Sequence, residues 1–119
     1  MATQSSTRIA VFCKAPVAGR VKTRLIPAFG ADGAVAIYRE LAERTLATVA
    51  TTCRRLGAEA TLWVADDAQH AAIRDWSERF AMPVHAQQGA DLGQRMQHCL
   101  ANLAANGDAA MLIGTDCPA

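Results

Sequence analysis

Four short apolar runs recur along this 119-residue chain, separated by stretches with helical periodicity. Residues 8–14 (RIAVFCK) carry Ile, Val and Phe at their centre, between a polar tail and Ala15-Pro16. A run this short, apolar without alternation, reads as a strand buried on both faces, the pattern of parallel sheets. Residues 60–65 (ATLWVA) read as a second strand, 84–86 as a weak third and 109–114 (AAMLIG) as a fourth. Between the first two runs, residues 32–56 carry Ile37, Leu41, Val49, Cys53 and Leu56 at helical spacing. Tyr38, Ala42, Thr45 and Leu46 widen that stripe, and Gly57 is suited to end the helix in the left-handed conformation. A second helix, capped by Asp66 or Asp67, runs to about Phe80, where Met82-Pro83 breaks it. A third covers 91–105, with Leu92, Met96, Leu100 and Leu103 on one side and Asn106-Gly107 as its terminator. Strand and helix alternating in this way predict an α/β fold with parallel strands joined by right-handed crossovers.

The length suits one domain, expected over residues 8–119 behind a flexible tail of residues 1–7. Hydrophobic residues make up 51% and charged residues 19%, enough apolar surface to offset the entropy of folding. A formal net charge of +1 gives no global field for nucleic acid or an anionic membrane, so any anion site must be local. Cys13, Cys53, Cys99 and Cys117 lie far apart, with no C-x-x-C pair and no His at zinc spacing. Three of them fall in apolar runs or stripes, as free buried thiols do, which favours a reducing cytoplasm. No secretory signal and no stretch near membrane-span length is present in the sequence. The expectation is a cytoplasmic domain with neither nucleic acid nor membrane as partner.

Residues 14–24 (KAPVAGRVKTR) follow the first strand and place Lys14, Arg20, Lys22 and Arg24 among small residues with no acid between them. In an open α/β sheet, ligands bind outside the carboxyl ends of the strands, which is where this loop sits. Phosphate is the natural counterion: Lys and Arg supply charge-assisted hydrogen bonds, and Gly19 lets backbone N–H groups come close. A solvated basic turn is the alternative. A P-loop does not fit, because two residues separate Gly19 from Lys22 and the first glycine of that motif is missing. His70, His85 and His98 are scattered, and no nucleophilic triad can be assembled. Trp63 and Trp76 read as core residues of a strand and a helix.

Three segments in order, FCKAPVAGRVKTRLIPAFG (12–30), QGADLGQRM (88–96) and IGTDCP (113–118), resemble the signature segments of the DUF2064 family. That family comprises glycosyltransferases of the nucleotide-diphospho-sugar transferase superfamily, some described as arsenosugar-biosynthesis glycosyltransferases. The resemblance implies a Rossmann-like parallel sheet in the order 3-2-1-4, the N-terminal half of a GT-A fold. It also implies a nucleotide bound across that sheet and a divalent cation, Mg2+ or Mn2+, at the diphosphate. Lys14, Gly19, Lys22, Thr23 and Arg24 are then phosphate-binding, and Asp91 and Arg95 face the nucleotide. Asp91 also has a purely local reading, as the cap of the helix that follows, with Gln94 completing a capping-box-like pair. Asp116 lies at the carboxyl end of the fourth strand, beside the basic loop in that sheet order. It is the expected metal ligand, the alternative being a turn cap or an ion pair with Lys22 or Arg24.

The activity so implied is transfer of a sugar from a nucleoside diphosphate-sugar to an acceptor that the sequence leaves unnamed. The first segment is also similar to the K-x-x-x-x-A-K-T-R-L pattern of the phospholactate guanylyltransferases, which makes nucleotidyl transfer the alternative. The chain stops just past GTDCP, where family members continue, so a truncated nucleotide-binding module is a third reading. An uncovered fourth strand would favour a homo-oligomer.

Overall fold

The structure, a computed structural model, describes residues 7–105 and 109–115. The element order is β1 (Thr7–Cys13), α1 (Ile26–Leu56), β2 (Glu59–Val64), α2 (Ala71–Phe80), β3 (Val84–Ala86), α3 (Leu92–Leu103) and β4 (Ala109–Gly114). The four strands form one sheet in the order β3-β2-β1-β4, and every pairing is parallel. All four carboxyl ends therefore lie along one edge. In register, Cys13 faces Val64, Phe12 faces Gly114 and Val64 faces Ala86. The expected Rossmann-like sheet and its strand order are both present.

Strand alternation builds two cores. Ile9, Val11 and Cys13 join Leu62 and Val64 under α1 and α2, with Tyr38, Leu46, Ile73 and Trp76. Ala10, Phe12 and Trp63 point to the other face, where Cys99 and Leu103 of α3 cover them. Trp76 and Tyr38 are fully buried, and burying a large apolar side chain contributes roughly 1.5–3 kcal/mol relative to leaving it exposed. Their polar atoms are paired, Trp76 Nε1 donating to Glu43 Oε2 at 3.0 Å. Among the described residues, no helix is long and apolar enough to cross a membrane.

Three expectations need correction. The long helix begins at Ile26, not Asp32, with Pro27 in its first turn, and breaks once at Gly30 (φ 73°, ψ 167°) before running to Leu56. Glycine adopts that conformation without steric cost, so the PAFG stretch forms a short helical lead-in instead of a loop. The buried stripe is also rotated: Ala34, Tyr38, Ala42, Leu46, Val49, Ala50 and Cys53 face the sheet, while Leu41 and Leu56 are exposed. Alanines at every other i+4 step bring the helix close to the strands, so small residues outweigh the larger Leu41 and Leu56. The cap of α2 is His70, whose Nδ1 accepts from Ala72 N at 3.0 Å. Asp67 instead accepts from Gln69 N. Gly57 ends α1 in the left-handed conformation, its N–H reaching Cys53 O. The terminator at Asn106-Gly107 lies outside the described residues.

Candidate functional site

The chain leaves β1 tied to its neighbours on both sides. Ala65 N donates to Cys13 O at 3.0 Å, and Ala15 N donates to Asp66 Oδ1 at 3.0 Å. From the β4 side, Thr115 N and Thr115 Oγ1 both donate to Phe12 O, at 3.0 and 3.1 Å. From below, the buried Tyr38 hydroxyl accepts from Lys14 N at 2.8 Å. Ala15, Pro16 and Val21 are then buried, so the basic loop is anchored by its apolar residues and presents its polar ones outward. A turn closes between Val17 O and Arg20 N at 3.0 Å, with Gly19 at φ 86°, a conformation that favours glycine. Lys22 is itself left-handed (φ 50°), and its carbonyl accepts from Leu25 N at 2.9 Å to start a single 3-10 turn, Thr23–Leu25. Arg20, Thr23 and Arg24 are exposed, while Lys14 and Lys22 are half-buried.

The third helix completes the site. Asp91 Oδ1 accepts from Gln94 N at 2.8 Å, and Gln94 Oε1 accepts from Ala90 N at 2.9 Å, a reciprocal cap of the kind its spacing predicts. Gly89 (φ 142°) lies so close to the helix that a Cβ there would sit 2.8 Å from Arg95 N. Its carbonyl accepts from Arg95 Nε at 3.1 Å, which fixes that guanidinium at the helix start.

Between β1, β4 and α3 opens a cavity of about 460 Å3, lined by Phe12, Cys13, Lys14, Ala65, Gln87, Leu92, Arg95, Met96, Leu112 and Gly114. Its size suits a small ligand. Residues from all three sequence segments meet here, Lys14 from the first, Arg95 from the second and Gly114 from the third. Gly19, Lys22, Thr23, Arg24 and Asp91 do not line it: the first four lie on the adjoining loop, and Asp91 caps α3. Leu92 and Met96 of α3 give the wall apolar surface beside Arg95, and Leu92 is 63% exposed. Among the described residues that line the cavity, the charged groups are two cations, Lys14 and Arg95, and no carboxylate. Among the described residues, Lys14, Arg20, Arg24 and Arg95 form no ion pair.

Cys13 lines the cavity, where burial, and secondarily the Asp66 carboxylate, pushes its thiol up to about 12 and so favours the protonated form at neutral pH. Among the described residues, no group of three metal-ligating side chains occurs. Asp116, the expected metal ligand, lies outside the described residues, as does Cys117. Gln87, Leu92, Met96, Tyr38 and Asp66 were not singled out as site residues by the sequence. Tyr38 did carry a signal, as the one phenol in a stripe of small apolar residues, whose hydroxyl must find a partner once buried. Gln87 carried none, since its role depends on a long-range bond from Nε2 to Trp63 O at 2.8 Å.

The sheet order and the crossover helices are those of a nucleotide-diphospho-sugar transferase-like fold. One solved structure, described as a "putative nucleotide-diphospho-sugar transferase" from Desulfovibrio desulfuricans G20, superposes with a TM-score of 0.76 at 29% sequence identity, over 95% of this chain. The match takes in 48% of that protein, so the present chain spans about half its length. The chain belongs to the DUF2064 family, described as "uncharacterized protein conserved in bacteria", whose model matches residues 48–119. The second and third signature segments lie inside that match, and the basic loop precedes it. No curated protein matches the chain.

Proposed function

We propose that this chain is the nucleotide-binding half of a glycosyltransferase-type enzyme, which binds a nucleoside diphosphate-sugar and donates the sugar to an acceptor. The observation that carries this reading is the pairing of Lys14 and Arg95 across one cavity at the carboxyl edge of the sheet. Two unneutralised cations beside an apolar wall suit a ligand with a diphosphate at one end and a flat, less polar group at the other. Lys14 would meet the diphosphate directly, and Lys22, Thr23 and Arg24 would extend the positive field from the adjoining loop, with Gly19 allowing its tight turn. Arg95, held by Gly89 O, presents its guanidinium beside the positive end of α3. When an acceptor attacks the anomeric carbon, negative charge builds on the departing diphosphate, and these fixed cations stabilise it without reorganising. Asp91 acts through the helix it caps.

A divalent ion, Mg2+ or Mn2+, would share the diphosphate charge when bound, with Asp116 assigned to hold it. The described wall offers no second carboxylate, so the ligand's phosphates and water would complete its shell. The free thiols of Cys13, Cys53 and Cys99 fit a reducing compartment, the basis for a cytoplasmic reading.

Calorimetric titration with nucleoside diphosphates, with and without Mn2+, tests this. Lys14→Ala should weaken binding by about 1.5–3 kcal/mol with or without metal, the worth of one charge-assisted contact. Asp116→Asn should remove most of the metal's effect and leave metal-free affinity largely intact. If no diphosphate binds, or Lys14→Ala binds as well as the parent, the reading fails. Release of pyrophosphate from a nucleoside triphosphate would instead identify nucleotidyl transfer.

A further inference from the structure

Tyr38 lies roughly three turns into α1, its ring fully buried in the core beneath the sheet. A phenylalanine would fill that space equally well, so the hydroxyl calls for its own account. It accepts from Lys14 N at 2.8 Å, lies 3.1 Å from Lys14 O as donor, and lies 3.0 Å from Thr115 Oγ1. Thr115 Oγ1 in turn reaches Phe12 O at 3.1 Å. A phenol has one proton, so it donates to Lys14 O or to Thr115 Oγ1 while accepting from Lys14 N–H. Lys14 and Thr115 each lie directly after the end of a strand.

The parallel ladder between β1 and β4 has its last pair at Phe12 and Gly114. Past that pair the first strand gives way to the basic loop and the second to Thr115. Tyr38 ties them together just beyond the ladder, and both Lys14 and Gly114 border the cavity. The loop that starts at Lys14 also runs into α1, so the helix that receives the loop holds its first residue. We propose that Tyr38 is a positioning residue: through its hydroxyl it fixes the Lys14 and Thr115 strand ends in one arrangement around the ligand cavity. This inference rests on the reading of that cavity as a nucleoside diphosphate site. A preorganised pair of strand ends removes ordering cost from binding, so loss of the tie should appear in affinity more than in folding.

Tyr38→Phe keeps the ring and removes the tie. ADP, GDP, CDP and UDP are titrated into the parent chain, Tyr38→Phe, Lys14→Ala and the double variant. For whichever diphosphate the parent prefers, Tyr38→Phe should weaken binding roughly five- to tenfold. In the Lys14→Ala background the same change should cost little, because the group being positioned is gone. Equal losses in both backgrounds would make Tyr38 a general stabiliser and overturn the inference. Amide hydrogen exchange without ligand keeps this test separate from the functional reading. Tyr38→Phe should speed exchange at Lys14 about tenfold while amides in α2 keep their rates. Unchanged exchange at Lys14 would overturn the positioning role even if nucleotides bind. If no diphosphate binds the parent chain, the functional reading falls, and the exchange at Lys14 decides whether the tie exists.

Discussion

At the scale of single residues, the described thiols give the clearest pH dependence. Burial raises Cys13 to about 12 and Cys99 to about 11, and raises Cys53 as well. In the unfolded chain a thiol ionises near ~8.5. Between that value and the raised one the folded chain keeps a proton that the unfolded chain has lost, so stability is full below the unfolded value and falls as pH rises. One such thiol removes about 1.4 kcal/mol per pH unit within that window. Urea unfolding between pH 8 and 10 should therefore show a steep loss of stability, and Cys13→Ala should make it shallower. An identical slope in the variant would mean that Cys13 ionises as readily folded as unfolded. The same burial predicts slow labelling of the native chain by thiol reagents at neutral pH.

Among the elements, α3 carries the most legible local chemistry. Its cap follows from spacing, Asp91 with Gln94 three residues on, and the reciprocal bonds are present. Asp91→Ala should cost about 1 kcal/mol by thermal or urea unfolding, and Asp91→Ser should restore most of it. If Asp91→Ala leaves stability unchanged while abolishing nucleotide binding, Asp91 contacts the ligand and its cap is incidental. Gly89→Ala should be more harmful, since φ 142° disfavours a side chain and the new Cβ would meet Arg95 N and Gln94 Cβ, each at 2.8 Å. β1 and β2 were legible because buried parallel strands leave unbroken apolar runs, and their boundaries differ from expectation by only a residue at each end; β4, read as a buried strand, has the same kind of run but no fully buried residue. The α1 stripe was misread because alanine contributes weakly to an apolar pattern, although it decides how closely a helix can approach a sheet. Lys14 could be proposed from charge and position, and Arg95 from the resemblance that its segment carries. Gln87 and Asp66 could not, because each acts through a hydrogen bond to a distant part of the chain.

At the scale of the whole molecule, the described residues form a single sheet between two unequal layers, with α1 and α2 on one side and α3 on the other. Its two tryptophans report those layers separately, Trp76 beneath α1 and α2 and Trp63 beneath α3. Because β1 and β2 send alternate side chains into both cores, the layers should unfold together. Fluorescence of Trp63→Phe and Trp76→Phe variants in urea should give transitions of equal steepness, each coincident with that variant's loss of helical circular dichroism. A fluorescence transition that precedes the loss of helix in one variant would show that its layer melts alone. The sheet order also bears on how the molecule is made. β1 emerges first from the ribosome yet occupies an interior place, and its partner on one side, β4, is translated about a hundred residues later. Until then a nascent chain can pair β1 with β2 and β2 with β3 but has a vacant lane along the other side of β1. The cavity gains Leu112 and Gly114, and Tyr38 gains Thr115, only when that lane is filled. On the proposed reading of the cavity, nucleotide binding should thus arise only once β4 is made and in a single step, so nascent chains stalled before β4 would be protected from proteolysis over β1–β2 but blind to nucleotide.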